Sequence, residues 1–385
     1  MKYTLFKKCL RMIIMYLIVG CGITGATLAE RLATILGKKV LIIDKRDHIG
    51  GNCYDFTDEK TGIRMNKYGA HLFHTNNEKV WDYINKFGEW VRWEHHVVAN
   101  VDDKFVPVPV NISTVNCLCN EHIQTDDEMR LWLNKTQIKC EPQNSEEMAI
   151  SRVGITLYEK LFKPYTIKQW NKEPKELDAS VLARIPVRDS YDARYFSDKY
   201  QVLPKNGYTD FVKNLLQSSN IEVRLNTDFE IFKQTDEFKI VEGVIYTGPI
   251  DAYFKNRGLP KLEYRSIDFK IETIKNIKGY YQPNSVVNYP DKDIPYTRIV
   301  EYKHFLNQKS KDTVIVSETT NDKGEPYYPV PNKKNKELYE KYKLFAEEEE
   351  TEKNVHFIGR LASYKYFNMD KAIEVALDYF ESKFC

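Results

Sequence analysis

The sequence predicts an α/β, multi-domain chain. A discontinuous Rossmann-like nucleotide-binding domain is interrupted by a helical bundle and by a twisted antiparallel β-sheet domain. Three observations carry this expectation. Residues 16–44 read as a complete βαβ unit, and 385 residues exceed what one hydrophobic core usually supports. Strand and helix patterns of the nucleotide-binding type then return near residues 205–250 and 340–385.

In the βαβ unit the apolar residues 16–19 run into Gly20-x-Gly22-x-x-Gly25, an Ala/Leu-rich helix follows, and the apolar strand 40–43 ends at Asp44. Gly20 suits the tight strand-to-helix turn, Gly22 the close approach of a pyrophosphate, and Gly25 the packing of helix on strand. The free N–H groups of the helix start, where Thr24 sits, face the phosphates. Asp44, nineteen residues past Gly25, is spaced to accept hydrogen bonds from a ribose diol. A second glycine pair follows in Arg46-Asp-His-Ile-Gly-Gly51-Asn52. This resembles the extended fingerprint of flavoproteins that hold FAD as a fixed cofactor, and a nicotinamide dehydrogenase would not usually show it.

Hydrophobic residues at 42% and charged residues at 29% describe an ordinary globular chain. The net charge of +2 gives no global basic field, so nucleic acid is not an expected partner. The 26 tyrosines and 19 phenylalanines suit a site that stacks planar rings, although aromatic core packing accounts for most of them. Seven cysteines, odd in number and without a C-x-x-C pair, argue against a disulfide framework or zinc site and fit a reducing cytoplasm. Residues 1–14 read as an extension, with Met15 an alternative start, because cleavage after an apolar run continuous with the first strand would destroy it. No stretch of about 20 apolar residues predicts a membrane span.

Further along, His71-x-x-His74 has helical metal spacing, but Gly69 and the flanking aromatics favour a loop or strand end lining the cofactor, so no metal is expected. Val80, Trp81, Ile84 and Phe87 predict a helix from Glu78 that stops near Gly88. Strand-like pieces follow at 95–101 and 104–110, the second with alternating prolines that indicate an edge. Residues 111–183 are largely helical by pattern. Within them, the charged tract after Trp170 reads as a mobile loop near 170–180 with an exposed Trp at its base. Arg184 and Arg188 precede a tyrosine cluster that includes Tyr195, a combination able to clamp a diphosphate or, alternatively, to pair with Asp189 and Asp192. A helix at 208–216 and strands at 221–225 and 241–247 return to the nucleotide domain. Residues 255–330 alternate as antiparallel strands, the acids 347–350 read as a solvated helix face, and strand 355–359 leads to a closing helix at Met369 and Asp370.

The blocks GxGxxG, RDHIGGN, YGAHLFHT, YTIKQW, RIPVR, YFSDKYQ, YTGPID, YRS, PYTRI, EPYYP, GRL and MD, in this order, resemble bacterial UDP-galactopyranose mutases over nearly the whole chain from residue 15. The resemblance implies an FAD-binding domain from residues 15–80, 205–250 and 340–385. It also implies a helical domain at 111–183 and a sheet domain from 90–110, 184–204 and 251–339, with the substrate cleft where they meet. Gly20, Gly22, Thr24, Gly25, Asp44, Arg46, Gly51, Asn52, Arg360, Met369 and Asp370 would hold FAD. His71 and His74 would lie by the flavin, their backbone responding to its redox state. Tyr165, Trp170 and Asn288 would hold the uridine end. Arg184 and Arg298 would neutralise the diphosphate, with Tyr195, Tyr328 and Tyr366 assisting, and Asn368 beside the sugar. Arg184, Arg298 and His74 form the implied catalytic set.

By the same resemblance, reduced FAD attacks the sugar's anomeric carbon, UDP leaves, and a flavin–sugar adduct opens and recloses as the five-membered ring before UDP returns. The product would supply galactofuranose for cell-surface polysaccharide. A homodimer and an external reductant, NAD(P)H or a reductase, are also implied. The chain departs from the family pattern at Pro164, Asn171 and Val202, where Gly is usual, at Thr319, where Tyr is usual, and at Asn368, where Asp is usual. The last two, implied beside the pyrophosphate and the sugar, keep open the same chemistry on a dTDP-6-deoxyhexose or UDP-N-acetylgalactosamine. An FAD oxidoreductase is the alternative from another reaction class.

Overall fold

The structure is a computed structural model and describes residues 15–385; the expected extension 1–14 lies outside them. The nucleotide-binding body is a five-stranded parallel sheet in the order Ile221–Arg224, Lys39–Ile43, Met15–Val19, Val241–Tyr246, Val355–Phe357. Side chains alternate across it. Leu17, Leu41 and Val244 pack with Phe229 and Phe232 on one face, while Ile18, Ile42 and Ile245 pack with Leu28, Leu32 and Ala376 on the other. The helices Ile23–Thr34 and Met369–Phe384 cover that second face. A parallel strand order taken from the start, middle and end of the chain makes this body discontinuous, because each strand must be reached by a crossover.

A seven-stranded sheet runs Tyr328–Pro329, Tyr264–Ile274, Thr313–Asn321, Arg298–Glu301, Val286–Asn288, Val97–Val101, Lys104–Val108. The proline-bearing strand Lys104–Val108 is an edge. The sheet is not wholly antiparallel as expected: Val286–Asn288 lies parallel to Val97–Val101. These two strands are far apart in sequence, so no hairpin fixes their relative direction. Tyr200–Pro204 also departs from the expected sheet. It pairs with Phe73–Thr75 and Trp90–Arg92 in a separate three-stranded sheet.

The helices Ile112–Cys119, Asp126–Thr136, Ser145–Leu157 and Lys163–Trp170 share one apolar core with the seven-stranded sheet, including Val153, Leu157, Leu161, Val97, Val300 and Val316. Trp170 is not exposed; it is 4% accessible in this core. The charged tract behind it is tied down instead of free. Asn171 Nδ2 donates to Asp322 at 2.8 Å, Lys172 pairs with Glu263 at 3.1 Å, and Asp178 accepts from Lys336. The acids 347–350 are not uniformly solvated either. They lie in the helix Lys333–Lys353, where Glu349 is buried, accepting from Tyr253 Oη at 2.8 Å and Lys353 Nζ at 2.7 Å.

Candidate active site

The bodies meet around one cleft of about 1390 Å³. At one end lies the glycine turn. Gly20 has φ +108°, and a Cβ there would sit 2.1 Å from Thr247 Oγ1. A Cβ on Gly25 would sit 2.1 Å from the Gly20 carbonyl oxygen, so the helix can approach the turn only with glycine there. Gly51, at φ +56°, brings its backbone against Gly22, and a Cβ on it would lie 2.8 Å from Gly22 Cα. Gly22 and Gly51 therefore form a cradle without side chains. It opens at the N-terminus of Ile23–Thr34, which has no side-chain cap. The N–H groups of that first turn have no intrahelical partners, and this is the arrangement that receives a pyrophosphate. Thr24 is buried beside them and lines the cleft.

Asp44 accepts from the Cys21 N–H at 2.8 Å on one oxygen and from the Arg46 N–H at 2.9 Å on the other. It thereby fixes the turn while each oxygen keeps a further lone pair. Arg46 donates to Asn52 Oδ1 at 2.9 Å, lies 4.4 Å over the Tyr68 ring and pairs with Glu325 from the loop before Tyr328. Arg360 donates to the Tyr327 carbonyl and leaves its Nε buried without an acceptor. Such an orphaned donor is costly unless a ligand group meets it. Met369 lines the cleft. Asp370 does not, and its carboxylate accepts from the Lys371 N–H at 2.7 Å. The cradle, the uncapped helix and the unsatisfied guanidinium together fit a dinucleotide.

Arg184 and Arg298 stand on the other wall, and Arg360 reaches its tyrosines from the cradle side. Arg184 is exposed within the cleft, 4.5 Å from the Tyr366 ring centre. Arg360 lies 5.1 Å from the rings of both Tyr328 and Tyr366, which stack at 5.7 Å. Arg298, on strand Arg298–Glu301, donates Nε to Glu318 Oε2 at 2.7 Å across the strand pair. Burial opposes ionisation of Tyr366, but Arg184, Arg360 and Arg298 outweigh it and hold the phenol below its ordinary value. The same attraction, against burial, raises Arg184. Positive charge in excess of the one carboxylate suits a diphosphate.

Tyr165, whose phenol burial pushes up, and Trp170, 6.4 Å from Tyr328, come from helix Lys163–Trp170. Asn288 stands opposite Arg298 in register and lines the cleft with them. Tyr195 also lines it, edge-on to Phe196 at 5.0 Å. Asn368 is exposed at the N-cap of Met369–Phe384, yet makes no capping bond, so its carboxamide is free to meet a ligand. Thr319 does not line the cleft. It pairs opposite Asp268, and its neighbour Glu318 meets Arg298 instead.

His71 Nδ1 donates to the Gly69 carbonyl at 2.8 Å, and the His71 carbonyl accepts from Tyr208 Oη at 3.0 Å. Burial lowers its imidazole to about 4, so it is neutral at pH 7. His74, on strand Phe73–Thr75, pairs through Nδ1 with Asp198 at 3.0 Å and stacks on Phe196 at 3.7 Å. Sequence reasoning did not single out Asp198, Phe196, Glu318, Glu325, Tyr68 or His95. The motifs YFSDKYQ and EPYYP contain three of them, but their partners, His74 and Arg46, lie far away in the chain.

Among the described residues no helix is long and apolar enough to cross a membrane. Residues 160–366 match the family described as UDP-galactopyranose mutase, and residues 18–87 match the NAD(P)-binding Rossmann-like domain. A probable UDP-galactopyranose mutase of Klebsiella pneumoniae is 40% identical over 366 residues, 94% of this chain and 92% of that one. A dTDP-fucopyranose mutase of Escherichia coli is 40% identical over 375 residues, 94% of this chain and 96% of that one. The fold is similar to the crystal structure of reduced UDP-galactopyranose mutase, with a TM-score of 0.74 at 17% identity over 97% of this chain and 96% of that one. With a family match over more than half its length and relatives at this identity along nearly all of it, the chain belongs to the UDP-galactopyranose mutase family.

Proposed function

We propose that the protein is a flavin-dependent mutase that interconverts UDP-galactopyranose and UDP-galactofuranose. In this reading the glycine cradle, Asp44, Arg46 and Arg360 hold FAD, and Arg184 and Arg298 hold the diphosphate of the substrate. The observation that carries it is the convergence of three arginines and stacked tyrosines on a cleft that begins at a dinucleotide cradle. When bound and reduced, FAD supplies a ring nitrogen able to act as nucleophile at the sugar's anomeric carbon. The chain's own residues do the rest. Arg184 and Arg298 stabilise departing UDP and keep it close for return. Tyr328 and Tyr366 add phenolic hydrogen bonds, and Tyr165, Trp170 and Asn288 form the surface for the base.

A second reading, the same ring isomerisation on a dTDP-6-deoxyhexose, is supported by the dTDP-fucopyranose mutase, which matches at the same identity as the Klebsiella protein. Asn368, free-standing in the cleft, bears on the same choice. A homodimer, a cytoplasmic location and an external reductant belong to the main reading. The test is a donor panel with dithionite-reduced, FAD-loaded protein under anaerobic conditions: UDP-galactofuranose, dTDP-fucofuranose and the furanose form of UDP-N-acetylgalactosamine. Fastest conversion of UDP-galactofuranose supports the main reading. A rate on it far below that on another donor moves the assignment to that sugar.

A further inference from the structure

We propose that Asp198 is a positioning residue for the reaction, fixing the imidazole of His74 with Nδ1 protonated and Nε2 presented to the cleft. The inference rests on the function proposed above and starts from local structure. In the strand Phe73–Thr75 the outer residues are buried, so His74 projects from the opposite face, into the cleft it lines. Antiparallel pairing sets His74 opposite Gln201, whose Nε2 donates to the carbonyls of Phe196 at 3.3 Å and Asp198 at 3.0 Å. The preceding turn is thus pinned beneath the imidazole. Arg188 holds the Phe196 carbonyl from outside at 3.3 Å.

The consequence is a ring fixed on two sides. Phe196 stacks on it at 3.7 Å and 15°, and Asp198 Oδ2 meets Nδ1 at 3.0 Å. Asp198 is itself oriented, since its Oδ1 accepts from Asn76 Nδ2 at 3.1 Å. The His74 hydrogen bond chiefly holds this carboxyl below its usual range, so at neutral pH it can only accept and Nδ1 must carry the hydrogen. Nε2, across the ring, has no protein partner among the described residues. Fixing one ring nitrogen decides what the other can do: a neutral ring offers Nε2 as an acceptor and a charged one offers it as a donor. His71 cannot stand in for it at neutral pH as a cation.

The test uses FAD-loaded protein with 15N-labelled histidine, together with Asp198→Asn, His74→Gln and the double variant. Ring 15N–1H correlations at a pH where the imidazole is neutral should show His74 as the Nδ1–H tautomer, and Asp198→Asn should shift it toward Nε2–H. Turnover in Asp198→Asn should fall by about 10-fold or more. Adding Asp198→Asn to His74→Gln should cost less than ~2-fold further, because the carboxylate acts through the imidazole. An Nε2–H tautomer in the unsubstituted protein, an unchanged tautomer in Asp198→Asn, or fully additive losses would overturn the proposal. The tautomer measurement needs no substrate. If no nucleotide sugar is converted, the proposed function falls while the NMR result still decides for or against Asp198.

Discussion

At the scale of single residues, Arg184 and Arg298 face the same cleft from different electrostatic settings. Arg184 has a tyrosine ring beneath it and its Nε on the Val181 carbonyl, and it forms no ion pair among the described residues. Arg184→Ala should therefore change stability by no more than about 0.5 kcal/mol while turnover falls on the order of 100-fold. Arg298 is bonded to Glu318, which is 1% accessible. Arg298→Ala leaves that carboxylate buried without its cation, and urea denaturation should show a loss on the order of 3 kcal/mol in addition to lost activity. A second contrast concerns pH. His95 is buried, its Nδ1 has no partner, and burial is the main cause lowering it to about 3. An unfolded histidine takes its proton near ~6.5, so between these values the unfolded chain binds more protons and stability rises with pH. Stability should decline as pH falls from about 6.5 toward 3, by up to ~1.4 kcal/mol per unit from this residue. His95→Phe should flatten that slope in denaturation curves. Arg184 and Tyr195 were legible in sequence as a charged block beside a tyrosine cluster, whereas Arg298, Tyr328 and Tyr366 were reached only through the resemblance. Asp198 was not, because its contact with His74 joins residues 124 positions apart.

At the scale of elements, the glycine turn makes a prediction that separates folding from binding. A Cβ on Gly22 meets nothing nearer than 3.9 Å, and this residue has φ −81°. Gly22→Ala should fold and melt like the parent when both lack cofactor, yet lose bound flavin, read from absorbance after purification. Gly51→Ala meets both a left-handed backbone and a 2.8 Å contact. It should destabilise the cofactor-free protein by at least about 1 kcal/mol. Equal flavin content in Gly22→Ala and parent would contradict a pyrophosphate at the cradle. The elements themselves were readable where local pattern decides: the βαβ unit from its glycine turn and apolar strands, the helix from Glu78 from its periodicity, and the edge strand from its prolines. Strand partners were less so. Tyr200–Pro204 joins Phe73–Thr75 and Trp90–Arg92, and Val286–Asn288 runs parallel to Val97–Val101, through pairings that no short turn announces. The tract after Trp170 was misread because its charges looked solvent-directed, whereas Lys172 and Asp178 bond to other segments of the chain.

At the scale of the molecule, the discontinuous parallel-sheet body supplies the cradle together with Arg360 and Tyr366, which lie between Val355–Phe357 and Met369–Phe384, while the helical and seven-stranded bodies supply Arg298, Tyr165, Tyr328 and Trp170. The cleft exists only where all of them meet. Under the function proposed above, that arrangement would suit a cofactor used without net oxidation, with the cationic wall directed at a leaving diphosphate and not at an electron acceptor. The most direct test is anaerobic conversion of UDP-galactofuranose to UDP-galactopyranose by the FAD-loaded protein, followed by chromatography with the flavin reduced and then oxidised. The account predicts rapid, complete approach to equilibrium with reduced flavin, no consumption of reductant per turnover, and no conversion with oxidised flavin. Conversion that proceeds equally with oxidised flavin, or that consumes one reductant per sugar, would contradict it.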